Sequence, residues 1–328
     1  MVTYFFRRIL LMVPTFFIVS VLVFAIQEMA PGDFVMSQLA AQQQSGGMTY
    51  TEEEIEALKK QYGLDRSPVI RYFQWMGNFL RGDFGTSYQH HRPVTELIGE
   101  RILLSATLSY ATILFIWVVS IPAGVWCATH RYSFSDMTIS IFGFIGMSIP
   151  NFLLALVFLY GALSFFGMDL SGLFSPEYVD APWSFGKFID LLLHLWIPVL
   201  ILGTAGTAGA IRSWRALTID TMGEPFIKTA RAKGLAEPVV VWKHAVPVAA
   251  NPFLGGIGGI LGAVISGDII VSITMGLPTT GPLFLEALTS QDTYLASSFL
   301  MLTTILMLVG MLLSDLVLAL VDPRIRYS

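Results

Sequence analysis

Charge is what this chain has least of. Asp, Glu, Lys and Arg make up 13% of its 328 residues, while hydrophobic residues reach 54%. Soluble domains carry about 25% charged residues, so a conventional soluble enzyme is excluded. Cysteine is nearly absent too: Cys127 stands alone inside an apolar run, which rules out a disulfide framework and a cysteine-based zinc site. No Gly-x-x-x-x-Gly-Lys-Ser/Thr, His-Glu-x-x-His or Gly-x-Ser-x-Gly sequence occurs. The chain therefore encodes no phosphate-cradling loop, helix-borne zinc pair or serine elbow of the known types. It has no cationic surplus either. A net charge of −4 argues against a nucleic acid partner, because neutralising phosphates needs a basic surface.

What is present is long apolar sequence. No charged residue interrupts Ile9 to Ile26 or Ile102 to Thr129, and each run is long enough to cross a hydrocarbon core about 30 Å thick. Hydropathy predicts six spans, approximately Ile9–Ile26, Ile102–Thr129, Met137–Gly167, Phe188–Ile211, Phe253–Met275 and Leu295–Val321. The fold class is thus an all-α membrane protein with six transmembrane helices. The first run exceeds a signal-peptide core, and Gln27, Glu28 and Met29 stand where small residues would mark cleavage, so it reads as a retained helix.

Orientation follows from the basic residues. With the N-terminus inside, the inner segments hold Arg7, Arg8, Arg131, a cluster of six between Arg212 and Lys243, then Arg324 and Arg326, while the short outer segments hold only Lys187. Positive charge inside places both termini in the cytoplasm. The chain then divides into an N-terminal tail and first span (1–27), an extracytoplasmic region (28–101), and a five-helix core (102–328) containing an inner connection at 212–251. In the outer region, Thr51 followed by Glu52, Glu53 and Glu54 reads as a helix start, with Ile55, Leu58 and Tyr62 on one face. Val69 to Leu80 reads as a second short helix, rich in aromatics and suited either to the lipid headgroup level or to packing on other outer helices.

Some residues within the spans stand out. Pro14, Pro122, Pro150 and Pro198 read as features of bundle packing. Gly255 with Gly259 and Gly258 with Gly262 form small-xxx-small pairs, and Gly203, Gly206 and Gly209 give a second smooth face, so the fourth and fifth spans suit close helix contact or a lining role. Asp268 is an ionisable group within the fifth span, a functional candidate by default. Gly203, Gly206, Gly209, Gly259, Gly262 and Asp268 are the candidate translocation-path residues. Asp315, near the inner end of the sixth span, reads as structural.

The inner connection carries Glu224-Pro-Phe-Ile-Lys-Thr-Ala-Arg-Ala-Lys-Gly234, a short cationic helix closed by a glycine suited to a left-handed cap. Phe226, Ala230 and Lys233 fall on one flank, and Ile227, Arg231 and Gly234 on another. On its own this segment equally suits a loop resting on anionic lipid.

Further residues narrow the choice. Thr229-Ala-Arg-Ala-Lys-Gly-Leu235, then His244-Ala245 and Pro252, are accompanied along nearly the whole chain by Arg7-Arg8, Ala30-Pro-Gly-Asp33, Gly63-Leu-Asp65, Gly82-Asp-Phe-Gly-Thr-Ser87, Ser148-Ile-Pro-Asn-Phe152 and Asp322-Pro-Arg-Ile-Arg-Tyr327. This ordered set resembles the permease subunits of dipeptide, oligopeptide and nickel ABC importers. The resemblance implies a multi-pass protein of a bacterial or archaeal plasma membrane, with a second homologous permease, two cytoplasmic ATPases and an extracytoplasmic solute-binding protein as partners. It implies no cofactor in this chain, since ATP and magnesium belong to the ATPases. It also implies that Glu224, Phe226, Ile227, Lys228, Thr229, Ala230, Arg231, Ala232, Lys233, Gly234 and Leu235 form a coupling helix seated on an ATPase, with Ala230 and Ala232 allowing close approach and Arg231 or Lys233 facing acids of the partner.

Departures from the family pattern fall at Lys228, at Pro247 and Val248, and at Ser272, Met275 and Thr279. Peptides are the first substrate class implied, with oligosaccharides, opines and nickel open beside them. The alternative from a different class is a secondary transporter using Asp268 as its ion site.

Overall fold

A computed structural model describes residues 2–30, 32–44, 51–256 and 269–321. In chain order the helices are α1 (Val2–Glu28), α2 (Phe34–Gln44), α3 (Glu52–Gln61), α4 (Pro68–Phe79), α5 (Val94–Thr129), α6 (Phe134–Ser148), α7 (Asn151–Gly161), α8 (Phe185–Met222), α9 (Pro225–Ala232), α10 (Glu237–Val239), α11 (Val246–Ala249), α12 (Asn251–Gly255), α13 (Ile269–Thr274), α14 (Thr280–Thr289) and α15 (Thr293–Val321). π-helical turns lie at Ala162–Phe166 and Val240–Ala245. Among the described residues there is no strand, only an isolated bridge between Thr86 and Pro93.

Among the described residues, four helices are long and apolar enough to cross a membrane, over Phe6–Met29, Val94–Thr129, Phe185–Met222 and Thr293–Val317. A fifth crossing is possible through α6 and α7, but they meet at 93°. This corrects the uninterrupted span expected over Met137–Gly167. Pro150 has no N–H to continue the helix and displaces the residue before it, so Ile149 is extended (φ −91°, ψ 120°) and the chain turns there. The fifth expected span, Phe253–Met275, is described only at its two ends.

α5 and α8 are longer than hydropathy suggests. At 36 and 38 residues and 1.5 Å per residue they reach about 54 and 57 Å, well beyond the hydrocarbon core. They pack closely where side chains are smallest. A Cβ at Gly124 would lie 2.4 Å from Trp214 Cβ and 2.8 Å from the Ile211 carbonyl oxygen. Gly124→Val is therefore expected to lower the thermal midpoint of the detergent-solubilised protein, with a destabilisation toward the upper part of the roughly 1–3 kcal/mol range for overpacking. The obstacle is backbone, which cannot swing aside; an unchanged midpoint would contradict this packing.

The region between α1 and α5 folds onto the ends of the spans. The Thr51 hydroxyl accepts from Glu54 N at 3.4 Å, and the Glu54 carboxylate accepts from Thr51 N at 2.8 Å, a reciprocal cap that starts α3. α3 is followed by Tyr62, whose ring meets Phe34 and Tyr88 edge-on. α4 runs beside α1, with Arg71 paired to Glu28 at 3.0 Å, the Tyr72 hydroxyl 2.8 Å from that of Ser20, and Phe79 tilted against Phe16. Trp75, Met76 and Phe79 are buried against α1 and Met301 of α15. The aromatics of α4 thus serve mainly helix packing, although Phe73 remains exposed.

The Gly82–Ser87 motif is a docking loop. Gly82 and Gly85 take positive φ (82° and 79°), and Asp83 Oδ1 accepts from Gly85 N at 2.9 Å. Gly85 lies so close to Tyr294 that a Cβ would meet its ring at 2.6 Å. At the loop's end, Ser87 donates to Asp292, which is fully buried; the same carboxylate also accepts from Gln89 N (3.1 Å) and from Leu295 N (3.2 Å), capping α15. At the opposite end of the bundle Arg8 grips Asp315 with two bonds, 2.7 and 3.0 Å, so Asp315 ties the first helix to the last.

Candidate functional site

The inner connection begins as helix. α8 continues through Arg212, Trp214 and Arg215 to Met222, so the boundary expected at residue 212 falls within a helix, not at the start of a loop. The outward charges there end the apolar run without ending the helix, since Arg, Ala and Leu are good helix formers. Arg215 makes a two-bond fork with the buried carboxylate of Asp136, Nε to Oδ1 at 2.9 Å and Nη2 to Oδ2 at 2.8 Å. Asp136 also accepts from Tyr132 N at 2.9 Å. The start of α6 is thereby fastened to α8 four residues beyond the expected end of the apolar run. Nothing local in the sequence marks this pair, apart from the Ser133-x-x-Asp136 pattern of a helix start.

After Met222 the chain turns sharply. Glu224 is extended (φ −66°, ψ 147°) ahead of Pro225, which occupies the first helical position of α9, where its fixed φ is favourable and no N–H is missed. Ile227 and Ala230 are buried on Val240 and Ala245, with Met222 beside them. The helix closes with a Schellman arrangement: Gly234 has φ +78°, its N–H donates to the Arg231 carbonyl at 2.9 Å, and Leu235 N donates to the Ala230 carbonyl at 3.4 Å.

This geometry revises the two flanks. The face turned into the protein takes one residue from each flank, Ile227 and Ala230, so Ala230 is packed inside the chain and Ala232 is the small residue left exposed. Glu224, Phe226, Lys228, Thr229, Arg231, Lys233, Gly234 and Leu235 are exposed with it. Arg231 is already engaged, its guanidinium forking onto the Glu237 carboxylate and holding that carboxyl below the usual range. Lys228 and Lys233 form no ion pair with another described residue. Phe226 and Glu224 wall a groove of about 680 Å³, completed by Leu217, Asp220, Pro247 and Asn251 among others.

The π-helical turn that follows α10 sits where Pro247 removes a donor, and Val246 N reaches back five residues to the Val241 carbonyl.

Of the candidate path residues, Gly203 and Gly206 face α5, where a Cβ would meet Phe115 at 2.5 Å and Ile116 at 2.7 Å. Their smooth face admits these two side chains. Gly209 faces open space. Gly259, Gly262 and Asp268 lie outside the described residues.

Comparison with known proteins places the chain. The family described as binding-protein-dependent transport system inner membrane component matches residues 120–327, and the corresponding N-terminal family matches residues 1–111. The oligopeptide transport system permease protein AppB of Bacillus subtilis (strain 168) is 31% identical over 331 residues, covering 100% of both chains. The glutathione transport system permease protein GsiC of Escherichia coli (strain K12) is 30% identical over 328 residues, again covering 100% of both. The inner membrane ABC transporter permease protein YejB of Escherichia coli O157:H7 is 31% identical over 363 residues and 99% of each chain. Together these findings turn the resemblance into membership: the chain belongs to the family of binding-protein-dependent transport system inner membrane components, the permease subunits of ABC importers.

Proposed function

We propose that this protein forms half of the translocation unit of an ATP-driven peptide importer, paired with a second homologous permease, served by an extracytoplasmic binding protein and driven by two cytoplasmic ATPases that bind the ATP and magnesium. The observation that carries the reading is α9: an eight-residue helix, fixed on its own small core at the end of a 38-residue spanning helix and presenting an exposed cationic ridge. A rigid element of this kind transmits displacement from a partner to α8. Under this reading 224–235 is the ATPase-docking segment, and Lys228 and Lys233 supply charge complementarity to it.

Six spans, with the fifth over Phe253–Met275, bring both termini to the cytoplasmic side, the arrangement the basic residues favour. The described helices 34–79 then form an outer cap at 28–101. Peptides are favoured as cargo because the relatives named above include an oligopeptide and a glutathione permease.

Reconstituted in liposomes with its partners, the protein is expected to import short peptides only when ATP is supplied, and to continue when ionophores collapse the ion gradients. Uptake that ignores ATP and follows the proton gradient would overturn the proposal in favour of an ion-coupled carrier built on Asp268, a reading that family membership does not favour.

A further inference from the structure

We propose that Lys187, with the cavity beside it at the cap end of α5 and α8, forms an anion subsite that receives the carboxylate of the imported solute; this rests on the peptide-importer reading above. Lys187 lies in the first turn of α8, its N–H donating to the Ser184 hydroxyl at 3.2 Å. A cation there adds to the positive end of the helix dipole instead of offsetting it. The side chain is also buried, with 7% of the residue exposed.

Each partner of the ammonium is neutral. It donates to the carbonyls of Val179 (3.2 Å) and Ala181 (2.6 Å) and lies 4.8 and 5.6 Å from the ring centroids of Phe174 and Trp183. These contacts orient the charge and leave it whole. Among the described residues no carboxylate forms an ion pair with it. Asp190, one turn further along, is taken by Ser175 N and Oγ at 2.8 and 2.6 Å. Glu100, at the cavity, is held by Arg92 at 2.6 Å, and Glu177 and Asp180 of the neighbouring loop are exposed to water.

A buried ammonium without a counter-ion is costly, and an apolar side chain of similar reach would fill the same cage without that cost. An anion arriving beside it is correspondingly favoured. Lys187 lines a cavity of about 450 Å³ together with Phe174, Trp183, Leu103, Gly276 and Pro278, inside the roughly 300–1,000 Å³ range of small-molecule sites. Gly276 and Pro278 follow α13 directly, and Gly172 N bonds the Met275 carbonyl at 2.8 Å, so the cavity adjoins the end of the fifth span. A neutral, aromatic-walled cage carrying one fixed positive charge suits the terminal carboxylate of a short peptide.

The test uses the complete reconstituted transporter and one peptide in two forms, with a free carboxylate and as its C-terminal amide. Binding-protein affinity for each form is measured separately, so that differences in uptake belong to the membrane step. Lys187→Met is expected to cut the initial uptake rate of the acid about tenfold, the loss of one charge-assisted hydrogen bond, and to leave the amide's rate unchanged. Lys187→Arg should retain the preference for the acid. Equal losses for both forms would make Lys187 a strut of the loop and overturn the subsite, as would no loss for either. Independently of any variant, a peptide with a photoreactive group beside its carboxylate should label the cavity lining of the wild-type chain, within 99–104, 172–187 or 276–278, and labelling confined to other segments also overturns the proposal. If the wild-type transporter imports neither form under ATP, the peptide-importer reading itself fails, an outcome distinct from all of these.

Discussion

On the proposed docking role of α9, Ile227→Asp is expected to abolish import and to strip the ATPases from the purified complex, while the variant chain still inserts into the membrane. The cause lies in how α9 is held. Its eight residues are too few for a helix to persist in water unaided, since isolated helices shorter than about 12–15 residues are marginal; its order comes from packing. Ile227 is fully buried at the centre of that packing, and the apolar side chains of Ala230, Val240 and Ala245 that pack with it offer no counter-charge. An unpaired carboxylate there costs several kcal/mol. A penalty of about 3 kcal/mol lowers the equilibrium constant for seating α9 roughly a hundredfold, so copurified ATPase and ATP-driven uptake should both fall sharply.

Ile227→Leu keeps the volume and should cost less than about 1.5 kcal/mol, with coupling retained. Size-exclusion chromatography of the solubilised variant separates misfolding from uncoupling. Wild-type ATPase recovery by Ile227→Asp would remove α9 from the docking site.

Much of this segment is legible in the sequence because its signals are local. Pro225 at the start, the Ala-Arg-Ala-Lys run and Gly234 at the left-handed cap sit within ten residues of one another, and each acts through backbone geometry that a single residue type enforces. Thr51 with Glu54 is legible for the same reason. The spans follow from apolar length alone, which reports that a segment enters lipid but not how it runs there. Hence Met137–Gly167 reads as one helix although Pro150 turns it, and α8 reads as ending at Ile211 although its backbone continues for eleven residues in more polar sequence.

Long-range pairing is the part that composition hides. Arg8 and Asp315 are 307 positions apart, and Ser87 and Asp292 are separated by 205. The burial of Ala230 likewise depends on Val240 and Ala245, which belong to a later element. Arg231 looks free in the sequence because nothing there says that the chain turns back to bring Glu237 beside it.

Removing one member of the Asp136–Arg215 pair is the second change of large expected effect. The carboxylate side chain is 5% exposed and the guanidinium 28%, so Arg215→Ala leaves a buried anion with a single remaining backbone donor from outside its own helix, Tyr132 N. Breaking a buried pair from one side costs about 3–5 kcal/mol, and the lower end applies here because Arg215 keeps some contact with water. The thermal midpoint in detergent should drop accordingly for both Arg215→Ala and Asp136→Ala. Function should suffer beyond stability, because the pair fastens the start of α6 to the stretch of α8 that leads into α9. On the proposed coupling role of α9, its displacement without this pair should move α8 but no longer carry α6 along, so ATP hydrolysis is expected to continue while peptide delivered per ATP falls.

The paired replacement Asp136→Leu with Arg215→Met separates the two roles. Apolar substitutes of similar volume commonly match or exceed a buried ion pair in stability, so the midpoint should recover, whereas coupling recovers only if packing alone suffices to keep the helices together. A wild-type midpoint for Arg215→Ala would show that the fork carries no load, and wild-type delivery per ATP in that variant would show that α6 moves independently of it.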